Sequence, residues 1–328
     1  MRIAVDAMGT DRHPAVEVEG VVAALEELPD SFQVVLVGDE SRIRAELKQL
    51  GRVEDGRLSI VHASQRIDST EAPAAAVRRK PDSSIVVGIN LQREGEADAF
   101  VSAGSTGAVM AASLLMLRPL PGIDRPAIAA MVPTSRGPMV IVDSGANVDS
   151  KPDNLVQFAG LGAVYARDVL GREAPRVGLL NIGEEPEKGN ELAVEVHRRL
   201  TASDLNFVGN VEGREIIEGA CDVLVTDGFV GNVLLKFYES VAGFVLGLLR
   251  RDPVEGGQSS PRDRVERILD YAEYGGAPLL GVNGISIICH GDSPPRAITN
   301  ALKAAETASN AHMVGHIREE VGVNPERA

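Results

Sequence analysis

The sequence predicts an α/β fold built on a mostly parallel sheet covered by helices. Two patterns carry this reading. Short apolar, largely β-branched runs alternate with helical patterns from end to end, as repeated βα units do. Seven of those runs also break into polar loops that combine Gly with Asp, Asn, Ser or Glu. Strand runs fall at 2–6, 33–38, 58–61, 98–102, 126–131, 138–143, 176–181, 206–208, 223–226 and 285–289. Helical patterns fall at 14–28, 41–50, 71–79, 84–94, 105–118, 151–170, 188–200, 230–250, 262–274 and 295–319.

Taken in order, the strand-to-loop transitions share one grammar. Ile3-Ala4-Val5-Asp6 leads into Met8-Gly9-Thr10-Asp11. Ala99-Phe100-Val101-Ser102 leads into Gly104-Ser105-Thr106-Gly107, and Met139-Val140-Ile141-Val142-Asp143 into Ser144-Gly145-Ala146-Asn147. Val177-Gly178-Leu179-Leu180 breaks at Asn181 and Gly183 into a loop with Glu184, Glu185, Glu187 and Lys188 before Asn190. Phe207-Val208 leads into Gly209-Asn210-Val211-Glu212-Gly213, Val223-Leu224-Val225 into Asp227-Gly228, and Ile285 to Cys289 into His290-Gly291-Asp292-Ser293. Gly lets a backbone approach a ligand, and Ser, Thr, Asp and Asn cap the helix that follows. Free N–H groups at a helix start favour an anion. Open α/β sheets bind ligands at such strand ends. The loops therefore suit a phosphate-bearing or carboxylate-bearing ligand, although one charged loop alone reads equally well as a solvated connection.

Composition narrows the function classes. The 328 residues can form a large core, with 44% hydrophobic and 24% charged residues. A net charge of −14, 3% aromatics and no Trp argue against general nucleic-acid binding and against base-stacking platforms. Cys221 and Cys289 lie in apolar surroundings and read as buried thiols in a reducing compartment. Arg2-Ile3-Ala4-Val5-Asp6 enters a strand pattern at once, without the shape of a signal peptide, and no uncharged apolar run of about 18 residues occurs. The expectation is a cytoplasmic protein without a spanning helix. The domain reading is one α/β unit over 1–328, with a helical hairpin over 230–275 as an excursion. Its first arm carries Val230, Val233, Leu234, Phe237, Val241, Phe244, Val245, Leu248 and Leu249 at helical spacing. That stripe reads as core-facing or dimer-facing, or alternatively as a membrane-surface contact. A turn rich in Gly, Pro and Ser follows, with Arg250, Arg251, Arg262, Arg264 and Arg267 around it.

Familiar motifs are missing. There is no Gly-x-x-x-x-Gly-Lys-Ser/Thr loop and no His-Glu-x-x-His, and His312 with His316 is a weak metal signal. The candidate chemistry lies in the loops. Ser105, Thr106 and Gly107 resemble a phosphate-cradling turn, or simply a tight turn into a helix. Asn147 and Lys151 place a cation one turn beyond a Gly-containing loop, where it reaches an anion held by backbone N–H groups. Lys188 offers a second cation in the same kind of place. With Asn181, Asn190, Asn210 and Asn232, and with Asp227 at the next strand end, these residues suit a polar cleft for an oxyanion and a carbonyl. His290 either donates to a ligand or caps. No Ser-His-Asp or Cys-His pairing stands out, so a covalent enzyme intermediate is not required.

Together these segments resemble the bacterial phosphate acyltransferases of membrane-lipid synthesis, also called acyl-ACP:phosphate acyltransferases. Arg2 to Gly9, Val101 to Ala108, Val142 to Asn147, Leu179 to Glu185, Lys188 to Glu191, Phe207 to Gly213, Thr226 to Asn232, Gly281 to Gly284 and Cys289 to Gly291 carry the resemblance in order along nearly the whole chain. Thr10 departs from it, because the family usually has two consecutive Gly there. The resemblance implies a three-layer α/β/α fold similar to those of phosphotransacetylases and isopropylmalate dehydrogenases. It implies a homodimer that needs no metal or organic cofactor and associates loosely with the membrane. It implies transfer of a long-chain acyl group from acyl carrier protein to inorganic phosphate, for use by a membrane glycerol-phosphate acyltransferase. Under this reading Lys188, Asn181, Asn232 and His290 are the catalytic candidates. Ser105, Thr106, Gly107, Asn147, Lys151, Asn190, Asn210 and Asp227 bind substrate or phosphate. Two alternatives stand beside it: an NAD-dependent dehydrogenase of the isopropylmalate type, and a non-catalytic docking protein for acyl carrier protein.

Overall fold

The computed structural model describes residues 1–29, 31–251 and 261–322. In chain order the elements begin with β1 (Arg2–Asp6), α1 (Ala15–Glu27), β2 (Gln33–Gly38), α2 (Glu40–Gln49) and β3 (Leu58–His62). Next come α3 (Pro73–Arg79), α4 (Ser84–Arg93), β4 (Ala99–Ser102) and α5 (Thr106–Met116). The middle of the chain forms β5 (Ala127–Thr134), β6 (Gly137–Val142), α6 (Pro152–Asp168), β7 (Val177–Asn181), α7 (Glu191–Thr201), β8 (Phe207–Glu212) and β9 (Val223–Val225). Then follow α8 (Gly228–Arg251), α9 (Pro261–Leu269), β10 (Ala277–Leu280), β11 (Ser286–Ile288), α10 (Pro295–Asn310) and α11 (Met313–Glu320). This is the α/β architecture that the alternating runs predict.

Two compact units emerge, one from Met1–Pro126 together with the chain from Gly275 onward, the other from Ala127–Tyr274. The first unit orders its strands β3-β2-β1-β4-β11-β10. All its pairs are parallel except β10 against β11. Val34, Val35, Leu36 and Val37 of β2 are all buried, as a parallel strand covered on both faces requires. Helix α1 packs on α10 and α2, while α3 and α4 pack on α5. The chain runs outward from β1 to β2 and β3, then returns to place β4 on the other side of β1. The order reverses there, between β1 and β4.

The second unit orders its strands β5-β6-β9-β7-β8. The β5–β6 hairpin is antiparallel and the other pairs are parallel. Val132, Met139, Ile141, Val211 and Leu224 form the centre of one core cluster. Leu234, Leu235 and Tyr238 of α8 pack on it. The remainder of the α8 stripe does not face that core: Val233 is 56% exposed, Phe237 68% and Phe244 66%. The core-facing reading therefore holds for Leu234 and not for these residues. By length and composition Gly228–Leu249 is sufficient to cross a membrane, with a mean hydropathy of 1.4, although Lys236 and Glu239 interrupt it as an ion pair. The sequence expectation of no spanning helix rested on a strictly uncharged run.

Four boundaries differ from the sequence reading. Strand β10 was not anticipated, because Gly275-Gly276 and Pro278 break the pattern around it. The helix expected over 295–319 is interrupted at His312, which adopts a left-handed conformation at φ 56°. The helix expected over 262–274 ends at Leu269 and gives way to a 3₁₀ turn over Tyr271–Tyr274. Gly209 to Glu212, expected as a loop, continues strand β8. The Gly-rich and Pro-rich turn of the 230–275 hairpin lies outside the described residues, but both of its arms are helices and they touch.

Candidate active site

The first unit gathers its polar residues where β1 and β4 end. Asp6 Oδ1 accepts from Met8 N at 3.0 Å, and its Oδ2 accepts from Ser102 Oγ at 2.7 Å. Ser102 Oγ accepts in turn from Gly104 N at 3.0 Å. A buried carboxylate thus ties the loop after β1 to the loop after β4. The two backbones touch: a Cβ on Gly9 would lie 2.7 Å from Gly104 N and 2.9 Å from Ala103 C. No side chain fits between them, which explains Gly at this position. Ser105 caps α5 by accepting from Ala108 N at 3.4 Å, so Ser105, Thr106 and Gly107 form the first turn of that helix. His290 follows β11, the next strand over. Its loop is tied to the β1 loop by Asp11 N donating to Gly291 O at 2.8 Å.

Glu17 was missed by the sequence reading. It lies on the buried face of α1, with no solvent exposure, and accepts from Thr10 N at 2.6 Å. Burial pushes its carboxyl up to about 7, and nearby Asp6 adds to the rise. The available signal was a lone acid between Val16 and Val18 on an otherwise apolar helix face.

The second unit centres on Asp143, at the end of β6. Its Oδ1 accepts from Ile128 N, Gly145 N and Ala146 N at 3.1, 3.1 and 2.9 Å. Its Oδ2 accepts from Asn147 N at 2.6 Å and Asn147 Nδ2 at 2.9 Å. Burial raises the Asp143 carboxyl above its usual range, and the bonds from Ala146 N, the Asn147 side chain, Gly145 N and Ile128 N oppose that rise. Asn147 O receives Gly228 N at 2.8 Å, which binds the turn to the start of α8. Asp227 caps α8 by accepting from Phe229 N and Val230 N, both at 2.9 Å. A Cβ on Gly231 would sit 1.9 Å from Asp143 O, so α8 meets this turn backbone to backbone. Asn232, exposed, stands against Gly145. The structure thus brings Asn147, Asp227 and Asn232 together.

A second group lies around the end of β7. Asn181 Nδ2 donates to Lys188 O at 2.9 Å and closes the acidic loop. Asn190 caps α7 by accepting from Ala193 N at 2.9 Å. Asn210 is buried in β8, donating to Glu185 O at 2.8 Å and pairing with His197 Nδ1 at 3.0 Å. Its amide nitrogen thus holds the loop, while its amide oxygen is engaged by His197 of α7. A cavity of about 340 Å³ lies beside it, lined by Glu184, Val208, Gly209, Asn210, Val211, Glu215 and Ala220. Lys188 and Lys151 are exposed, Lys151 directly before α6, and neither ammonium has an acceptor among the described residues.

The thiols stand apart from this polar chemistry. Cys221 and Cys289 are buried, and burial pushes both up to about 12. They are therefore protonated and poor nucleophiles. Among the described residues no group of three or more His, Cys, Asp or Glu side chains is placed to hold a metal.

Parallel strands covered by helices, with polar loops at the strand ends, define an α/β protein, and solved structures share that fold. The chain is similar to a phosphotransacetylase from Streptococcus pyogenes, with a TM-score of 0.62 at 18% identity, covering 95% of this chain and 94% of that one. It is also similar to a branched-chain phosphotransacylase from Enterococcus faecalis V583, with a TM-score of 0.62 at 16% identity, covering 94% and 99%. At such identities the likeness concerns the fold.

Sequence relatives define the family. The family model described as "Fatty acid synthesis protein" matches residues 1–315. The phosphate acyltransferase of Heliobacterium modesticaldum is 49% identical over 98% of both chains. That of Desulforamulus reducens is 47% identical over 98% of this chain and 97% of its own. The chain belongs to this family of phosphate acyltransferases.

Proposed function

We propose that this chain is an acyl-transferring enzyme that moves a long-chain acyl group from the thioester of acyl carrier protein to inorganic phosphate. A phosphate oxygen attacks the thioester carbon. The tetrahedral oxyanion collapses, the C–S bond breaks, and the carrier thiolate takes up a proton. The products are an acyl phosphate and the free carrier, and phospholipid synthesis consumes the acyl phosphate through a membrane glycerol-phosphate acyltransferase. Phosphate is itself the nucleophile, so no activated Ser or Cys is needed. The protein's tasks are to hold anions in line and to stabilise the oxyanion. The observation that carries this reading is the pair of exposed lysines, Lys151 and Lys188, each without an acceptor beside a polar strand-end loop. The relatives favour acyl transfer over the dehydrogenase and docking-protein alternatives.

In this reading Lys188 and Lys151 hold phosphate or the oxyanion, with Asn181 and Asn232 as further donors. Asn147, Asp227, Asn190 and Asn210 shape the loops around them. In the first unit, Ser105, Thr106 and Gly107 bind an anion and His290 donates or orients. The enzyme acts in the cytoplasm as a homodimer without a cofactor. The 230–275 hairpin mainly builds the dimer interface, and its tip touches the membrane surface reversibly.

The test incubates the protein with palmitoyl carrier protein, with and without phosphate, and looks for acyl phosphate by mass. Phosphate-dependent product is expected, and removing either lysine as Lys188→Ala or Lys151→Ala lowers turnover about 10²–10³-fold in a folded protein. Thioester cleavage indifferent to phosphate contradicts the reaction. Wild-type rates in one lysine variant remove that lysine from the site. For the tip, Leu248→Glu with Leu249→Glu is expected to weaken liposome flotation, and unchanged lipid binding in a variant that remains dimeric and active removes the tip as the contact.

A further inference from the structure

Arg66 lies in the connection between β3 and α3, a stretch that the acyl-transfer reading leaves unused. Its backbone is held on both sides. Gln65 N donates to Asp82 O at 3.0 Å and Ser84 N donates to Gln65 O at 3.2 Å. Lys80 Nζ donates to Arg66 O at 2.8 Å and to Glu71 at 2.6 Å. From this anchored position the half-buried guanidinium reaches the loop after β1. Nε donates to Met8 O at 2.8 Å and Nη2 to Gly9 O at 3.4 Å. A guanidinium has five N–H donors in a fixed fork. The two on Nη1 have no acceptor among the described residues.

What Arg66 reaches is the point where the strand order reverses, and where Gly9 is pressed on Gly104. Gly9 is buried, yet its N–H has no acceptor among the described residues. A buried, unpaired backbone N–H is rare in folded proteins and asks for a partner. The first-turn N–H groups of Ser105, Thr106 and Gly107 are likewise unpaired there. Asp6 places one negative charge beside the same loops, and both its oxygens are occupied. Arg66 supplies the opposite charge and still has donors to give.

We propose that Arg66 binds a phosphate oxyanion over the paired loops of β1 and β4, with Gly9 and the first turn of α5 supplying N–H donors. The inference rests on the acyl-transfer reading only in taking that oxyanion to belong to a substrate. Two substrates carry the same chemistry: inorganic phosphate, and the phosphodiester that links a carrier protein to its pantetheine arm. Arginine's planar fork suits such oxygens better than a lysine point charge does.

Equilibrium binding tests this without turnover. Inorganic phosphate, phosphopantetheine and pantetheine are titrated into the wild-type chain and into Arg66→Gln and Arg66→Lys variants of unchanged melting temperature. Arg66→Gln is expected to weaken one phosphate-bearing probe by about tenfold or more. Arg66→Lys is expected to weaken it less, and pantetheine binding stays unchanged. Loss confined to inorganic phosphate identifies the nucleophile as the ligand, and loss confined to phosphopantetheine identifies the carrier arm. Equal affinities in wild type and Arg66→Gln overturn the proposal, as does a wild-type chain that binds neither phosphate-bearing probe. If the Gln variant melts early, Arg66→Ala with added guanidinium replaces it, and failure of guanidinium to restore probe binding counts against the proposal. Failure of the acyl-transfer reading shows separately, as wild-type protein that binds phosphate without converting a thioester.

Discussion

Asp6 and Asp143 each stand at the end of a strand, β1 in one unit and β6 in the other, and both are buried carboxylates that organise the loop after them. They do so differently. Asp6 shares its load with a neighbour: one oxygen holds its own loop, and the other takes the hydroxyl of Ser102 from β4. Asp143 gathers three N–H groups of the turn that follows it, the Asn147 amide, and Ile128 N of β5. The first arrangement couples two loops through a side chain that can rotate. The second wraps one loop around a fixed charge. A turn held by backbone donors has no weaker alternative, whereas a turn held by a hydroxyl can loosen by degrees.

Three experiments break or sharpen this contrast. Asp143→Ala is expected to have the largest effect. It strands four backbone donors and the Asn147 amide, and it is expected to cost about 4 kcal/mol of unfolding free energy in urea titrations. A loss below roughly 1 kcal/mol means that water satisfies the turn and that the carboxylate is dispensable.

Glu17→Gln probes the carboxyl beside the Asp6 loops. The native Glu17 carboxyl titrates at about 7 against an ordinary 4.5. Between those values the folded protein keeps a proton that the unfolded chain has lost. Stability therefore falls as pH rises through that window, and the full loss is present above pH 7. The gap corresponds to about 3 kcal/mol. Gln mimics the neutral acid and keeps an acceptor for Thr10 N. The variant is expected to gain stability relative to wild type at pH 8 and to match it near pH 4.5. An identical pH dependence in the two proteins rules out a raised carboxyl.

Ser102→Ala is the mildest change, with an expected loss of about 1–2 kcal/mol. Its value lies in a double-mutant cycle with Asp6→Asn. Coupling there, and additivity of Ser102→Ala with Asp143→Ala, is the signature of one shared and one private cage. Additivity between Ser102 and Asp6 collapses the distinction.

The alternation of strands and helices was legible because burial on both faces demands continuous apolar runs, as in Val34 to Val37. The loops were legible because Ser105 and Asn190 serve as caps, as their positions suggested. What stayed hidden depends on partners far away in sequence. Asn210 reads as a loop residue until Glu185 and His197 close on it. Arg66 is an ordinary surface arginine until β1 is seen beside it. The break at His312 carries no Gly or Pro, and its trace in the sequence is a single five-residue step in the apolar spacing, from Ala308 to Met313, between steps of three and four. Strand β10 gains its identity from partners distant in sequence, pairing Ala277 with Ile288 and Pro278 with Ile287.

The order in which the chain is made gives the discontinuous first unit a history of its own. Strands β1 to β4 leave the ribosome early, but β11, which pairs with β4, lies beyond the whole of Ala127–Tyr274. At about 5–20 residues per second, synthesis of that intervening segment takes roughly 7–30 s. Throughout this interval β4 presents unpaired N–H and C=O groups along the side that β11 later fills. Such an edge recruits strands from other nascent chains. The segment from 127 to 274 is continuous and can fold while the first unit waits. A chain truncated before Ser286 therefore carries a finished second unit and an adhesive first one, and aggregation of such fragments is the expected price of interrupted translation.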